Sequence, residues 1–112
     1  MGEKLEIYQN DSEIYTGTVT SDGEPVLLSG ASITFSVKEN IDSSGYLIQK
    51  KSDDISEIDI FAPSSGNFYI YLNPEDTELE PGFYPYDIEI ILASGFKKTI
   101  EMDFLEIKKD VT

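Results

Sequence analysis

Gly66-Asn67-Phe68-Tyr69-Ile70-Tyr71-Leu72-Asn73-Pro74-Glu75-Asp76-Thr77-Glu78-Leu79-Glu80-Pro81-Gly82-Phe83-Tyr84-Pro85-Tyr86-Asp87-Ile88-Glu89-Ile90 decides the fold, because it holds two apolar alternations joined by an acidic link. On an extended chain Phe68, Ile70 and Leu72 share one face, and Tyr69 and Tyr71 share the other. Tyr86, Ile88 and Ile90 repeat that period after the link. Both runs are therefore expected to be strands. Within the link, Glu75-Asp76-Thr77-Glu78 suits one helical turn after Pro74, Leu79 is expected to tuck under the loop, and Gly82 marks a sharp turn.

The flanking segments show similar alternations. Upstream, residues 56–61 form a less regular strand, residues 46–51 an edge strand guarded by Lys50 and Lys51, and residues 32–39 a central strand. In that central strand Ile33, Phe35 and Val37 point inward while Thr34, Ser36 and Lys38 point outward. Ser21-Asp22-Gly23-Glu24-Pro25 is a turn, since Asp-Gly tolerates positive φ. Residues 13–20 make a strand in which Gly17 marks a bulge or a close backbone approach, and Leu5 to Tyr8 make a short first strand. Downstream, residues 91–96 form a hairpin turn. The last strand then sets Ile100, Met102 and Phe104 on one face and Glu101 and Asp103 on the other, with Leu105 and Ile107 beyond a face-switching bulge. The tail Lys108-Lys109-Asp110-Val111-Thr112 is expected to fray.

Seven to eight strands with turn signals every eight to twelve residues are the pattern of an all-β, antiparallel sandwich of immunoglobulin type. A strand, a short crossing loop and a tyrosine-rich strand also suit the passage from one sheet to the other in that fold. The expected core is Phe35, Val37, Phe68, Ile70, Leu72, Ile88, Ile90, Ile100 and Met102. Either Tyr84 or Tyr86 is expected to make a tyrosine-corner hydrogen bond.

The 112 residues are one domain in length, and 39% hydrophobic residues with 12% aromatics suffice to close one core. Twenty-two acidic against 8 basic residues give a net charge of -14, which repels phosphate backbones and argues against a nucleic-acid partner. Most acids alternate with apolar residues, as on a solvated sheet face. Without cysteine there is no disulfide or thiolate site, so packing must stabilise the fold. No apolar run approaches the roughly 18 residues of a membrane span. Met1-Gly2-Glu3-Lys4 lacks the features of a secretory signal, so synthesis in the cytoplasm is expected.

Catalysis finds little support. The chain has no histidine and no cysteine, which excludes Ser-His-Asp and Cys-His nucleophile systems. No carboxylate pair is singled out as a general acid and base, so no enzyme activity and no cofactor are expected. Asp53, Asp54, Glu57 and Asp59, and separately Glu75, Asp76, Glu78 and Glu80, offer oxygen ligands for calcium, but neither set has the spacing of a dedicated loop, and no metal is expected. Glu75 and Asp76 suit the first turn of a short helix instead. Tyr69 and Tyr71, on one outward face, suit either cross-strand packing or a platform for a sugar ring or a partner protein.

Three segments carry a resemblance: Leu28-Ser29-Gly30-Ala31-Ser32-Ile33-Thr34-Phe35-Ser36-Val37-Lys38, then Leu47-Ile48-Gln49-Lys50, then the link from Asn73-Pro74-Glu75-Asp76-Thr77 through Leu79-Glu80-Pro81-Gly82 to Tyr84-Pro85-Tyr86-Asp87-Ile88. From about Tyr15 to Phe104 the chain resembles small immunoglobulin-like proteins of tailed bacteriophages and prophages. Its amino-terminal half is also similar to the domain that begins phage baseplate upper proteins. The resemblance implies a multi-copy, non-catalytic virion building block, either an attachment module of the tail, baseplate or fibre or a decoration of the capsid, made in the bacterial cytoplasm and docking on coat, neck, tail or baseplate proteins through a sheet edge or a loop end. The alternative expectation is a carbohydrate-binding module that recognises bacterial surface glycans through Tyr69 and Tyr71.

Overall fold

The alternation at Phe68, Ile70 and Leu72 does become a strand in the computed structural model, which describes residues 5–110. Met1-Gly2-Glu3-Lys4 and the last two residues of the tail, Val111 and Thr112, lie outside the described residues. The strands are β1 (Leu5–Tyr8), β2 (Glu13–Thr18), β3 (Thr20–Ser21), β4 (Glu24–Pro25) and β5 (Ser32–Val37). They continue with β6 (Ile48–Lys51), β7 (Ile58–Ala62), β8 (Asn67–Leu72), β9 (Gly82–Ile91) and β10 (Lys97–Lys108). Among the described residues ten strands thus stand where seven or eight were expected, and the surplus is the two-residue pair β3 and β4. Asp22 and Gly23 join that pair at φ 54° and 81°, the backbone a two-residue hairpin of right-handed twist requires.

One sheet has the order β1-β10-β9-β5-β6 and the other β2-β8-β7. Inward side chains of both meet in one hydrophobic cluster, with Phe35, Ile88 and Leu105 from the first sheet against Phe68, Ile70 and Ile58 from the second. The fold is therefore all-β and sandwich-like. Gly17 stays in register opposite Phe68 without a bulge, and a Cβ there would lie 2.3 Å from the Phe68 ring. The glycine is present for close approach: the ring occupies the space a side chain would take.

Five expectations need correction. The five-stranded sheet is not wholly antiparallel, because β1 runs parallel to β10. These strands come from opposite ends of the chain, so no hairpin forces them to reverse direction. Met102 is 57% exposed and is not a core residue, while Ile100 is only partly buried. The register shift lies between Thr99 and Glu101, earlier than the sequence suggests, so Leu105 and Ile107 face the core and Met102 and Phe104 face solvent. Lastly, the link at 73–81 holds no helix, and Lys50 does not guard the edge from outside.

Lys50 instead turns inward and meets Asp76 at 2.8 Å. Asp76 also accepts a hydrogen bond from the Asn73 amide, and Asn73 accepts one from the Asp76 amide, which closes the turn after β8. Next in the chain, Thr77 is fully buried, and its hydroxyl donates to the Asp11 and Pro74 carbonyls. The acidic link is thus fastened to β6 and to the turn after β1. Leu79 packs against the core beneath it, as the alternation of the link suggests.

Candidate docking face

The outward residues of the five-stranded sheet follow from register. Thr34 faces Glu89 and Lys51, Ser36 faces Asp87 and Gln49, Asp87 faces Met102, and Pro85 faces Phe104. A solvated sheet face is normally polar at these positions. Here Phe83 (59%), Met102 (57%) and Phe104 (49%) are exposed on it. The loop between β5 and β6 adds Ile41 (70%) and Tyr46 (53%) beside them. Apolar side chains grouped on one face mark an interaction surface more often than single exposed ones do.

Between Ile41, Tyr46 and Met102 the face is concave, with a groove of about 270 Å³. Its floor is polar: Thr34, Ser36, Gln49, Asp87 and Glu89. Ile41, Tyr46, Pro85 and Met102 supply the apolar part of the lining, and Lys38 also lines it, with its ammonium 5.3 Å from the Tyr46 ring centroid. Gln49 Nε2 donates to the Ser36 hydroxyl at 3.2 Å, and Ser36 is almost fully buried.

Burial pushes the Asp87 carboxyl above the ordinary carboxylate range, the neighbouring charge of Glu89 pushes it further, and Lys38 opposes both. Among the described residues no group donates a hydrogen bond to it. A carboxyl whose folded pKa exceeds its unfolded value holds its proton more tightly in the fold, so the fold is weakened when it ionises. The penalty is absent below the unfolded value of about 3.9, develops as pH rises through the raised folded value, and persists above it. Asp87→Asn should therefore raise the melting temperature at pH 7, and the gain should disappear when both proteins are melted in strong acid. A variant that melts lower at pH 7 would show that the carboxylate is stabilised in the fold after all.

Tyr69 and Tyr71 are both half-buried on the outward face of β8. Phe61 of β7 stacks on Tyr69, with centroids 4.0 Å apart and planes 15° from parallel. The Tyr71 ring lies 6.1 Å from Tyr69 and is tilted by 51°. The three rings form a row across the outer face of the three-stranded sheet, and Phe61 takes one ring face of Tyr69. The irregular pairing of β7 between Asp59 and Ala62 puts Phe61 beside Tyr69, which local alternation in the sequence does not reveal.

The tyrosine corner falls to Tyr84, whose hydroxyl donates to the Glu80 carbonyl at 2.6 Å. Burial raises the Tyr84 phenol above its ordinary value, and the charges of Glu80 and Glu39 add to this. Tyr86 is buried instead, and its hydroxyl donates to Glu101 Oε2 at 2.7 Å. The Tyr15 hydroxyl reaches the same carboxylate from β2 at 3.1 and 3.2 Å. Glu101 therefore joins the two sheets. The sequence places it outward, and the shift after Thr99 turns it in.

The acidic loops are engaged locally. Asp54 Oδ1 accepts bonds from the Ser56 amide and hydroxyl, and these hold its carboxyl below the ordinary range. Glu57 accepts from the Lys51 amide, and Asp76 is paired with Lys50. Among the described residues no three acidic side chains converge on a point that would hold a metal ion. No helix among them is long and apolar enough to cross a membrane. A scan against protein-family models finds no match for the chain, and neither does a search of curated proteins.

Proposed function

We propose that the chain is a non-enzymatic building block of a tailed-phage virion, an immunoglobulin-type sandwich that works by docking on other virion proteins. The observation that carries the docking part is the group of exposed apolar side chains on the outer face of the five-stranded sheet, of which Ile41, Tyr46 and Met102 line its groove. The virion part rests on the resemblance of the segments from Leu28 to Ile88. The fold type is supported by strand order: β2-β8-β7 matches the B-E-D strands of an immunoglobulin sheet, and β5-β9-β10 the C-F-G strands, with β6 added beside C. The Tyr84 corner at the start of the F-like strand supports it as well. A repeated particle needs only a modest contact per copy, since many copies act together. The exposed apolar side chains favour the sheet face over the sheet edge or loop end expected from sequence.

The test is to purify particles from the producing strain, identify their proteins by mass spectrometry, and locate this one by electron microscopy. The protein should be present in several copies against a coat, neck, tail or baseplate protein. Its absence from every particle would overturn the reading.

A second reading is favoured by one observation, the row formed by Phe61, Tyr69 and Tyr71. Aromatic rows suit sugar rings, and a glycan-binding module would use this one. Binding to bacterial surface glycans that disappears in Tyr69→Ala/Tyr71→Ala, with the fold intact, would select it.

A further inference from the structure

We propose that the groove on the five-stranded sheet receives an arginine side chain from the partner protein; the proposal rests on the docking reading above. Asp87 and Glu89 are outward residues two apart on β9 and so share the floor. Asp87 has no hydrogen-bond donor among the described residues, and the nearest ammonium to Glu89, that of Lys97, is 3.8 Å away. Two carboxylates therefore face a recess with their acceptor capacity largely unused. A bare acidic floor would suit any cation, but the walls narrow the choice.

Tyr46 offers a ring face, and Lys38 already places an ammonium near it. Met102 and Ile41 offer apolar surface of the kind that the methylene stem of a long basic side chain covers. A guanidinium fits this combination because it is planar, stacks on aromatic rings and forks its donors onto carboxylates. Lysine is a compact, strongly hydrated charge and uses less of the wall.

The partner is a different chain and not a second copy. A two-fold contact would set the same patch against itself, bringing Asp87 and Glu89 of one copy toward those of the other. Each copy also carries a net charge of -14. A basic partner is attracted by that charge, and a like copy is repelled.

The test is a nuclear magnetic resonance titration of the isotope-labelled full chain with N-acetylarginine amide, using N-acetylcitrulline amide as the neutral isostere. The arginine compound should give saturable shifts at Ser36, Gln49 and Asp87. Binding should be about tenfold weaker or more for the citrulline compound and for Asp87→Asn, as loss of a charged hydrogen bond implies. Lys38→Met, which removes the competing cation, should tighten it. Equal binding of the citrulline compound, an unchanged affinity in Asp87→Asn, or no saturable shift at tens of millimolar would overturn the proposal. So would saturation of the groove by methyl glucoside in place of the arginine compound. Absence of the protein from particles would count against the docking reading alone, since the titration judges the recess without a particle. Asp87→Asn also separates loss of binding from loss of fold, because it should melt higher than the wild type at pH 7.

Discussion

Lys50→Ala should lower the stability of the domain by about 3 kcal/mol, the lower end of the range for removing one partner of a buried ion pair. The Lys50 side chain is only 9% exposed and that of Asp76 17%, so the carboxylate left behind is poorly reached by water. Asp76 also anchors the turn after β8, which ties the loss of the cation to the whole acidic link. For a domain of this size the expected fall in melting temperature is roughly 10 °C. Because the pair is largely buried, the difference should persist in high salt, where exposed pairs are screened. A cycle of Lys50→Met, Asp76→Asn and the double variant isolates the pair from the packing of the lysine stem. A melting temperature for Lys50→Ala within a degree of wild type would show that the contact contributes nothing.

Glu101→Ala is expected to cost a comparable amount, about 2–4 kcal/mol, since hydrogen bonds to a charged group contribute roughly 1.5–3 kcal/mol each. Tyr15 and Tyr86 both donate to this carboxylate, and they come from opposite sheets. Its removal takes an acceptor at 2.7 Å from the Tyr86 hydroxyl, on a residue only 2% exposed. Glu101→Gln keeps one acceptor oxygen and should lose about half as much. Combining Tyr15→Phe, Tyr86→Phe and Glu101→Met should recover part of the loss, because the two hydroxyls and the carboxylate that they share are then removed together. Denaturant melts of the set give the comparison, and equal stability of Glu101→Ala and wild type would exclude the clasp between sheets.

These two residues also mark where reading the sequence stops. The alternations at residues 32–37, 67–72 and 86–90 determine strands and their inward faces by themselves, because apolar side chains recur at period two on one side only. Asp22-Gly23 determines its turn for an equally local reason, the positive φ that both residues adopt. In the last strand the same method fails. Met102 and Phe104 are as apolar as Leu105 and Ile107, so the pattern offers two faces and no local reason to choose. The extra residue after Thr99 makes the choice, and its place is set by pairing with β9. Glu101 and Lys50 look like surface charges in sequence, and their inward position depends on partners 15 and 26 residues away or more. The groove is beyond local reading altogether, since Thr34, Asp87 and Met102 become neighbours only when β5, β9 and β10 lie side by side. Period and turn chemistry are properties of adjacent residues, whereas burial of a charge and concavity of a face are properties of the packed sheets.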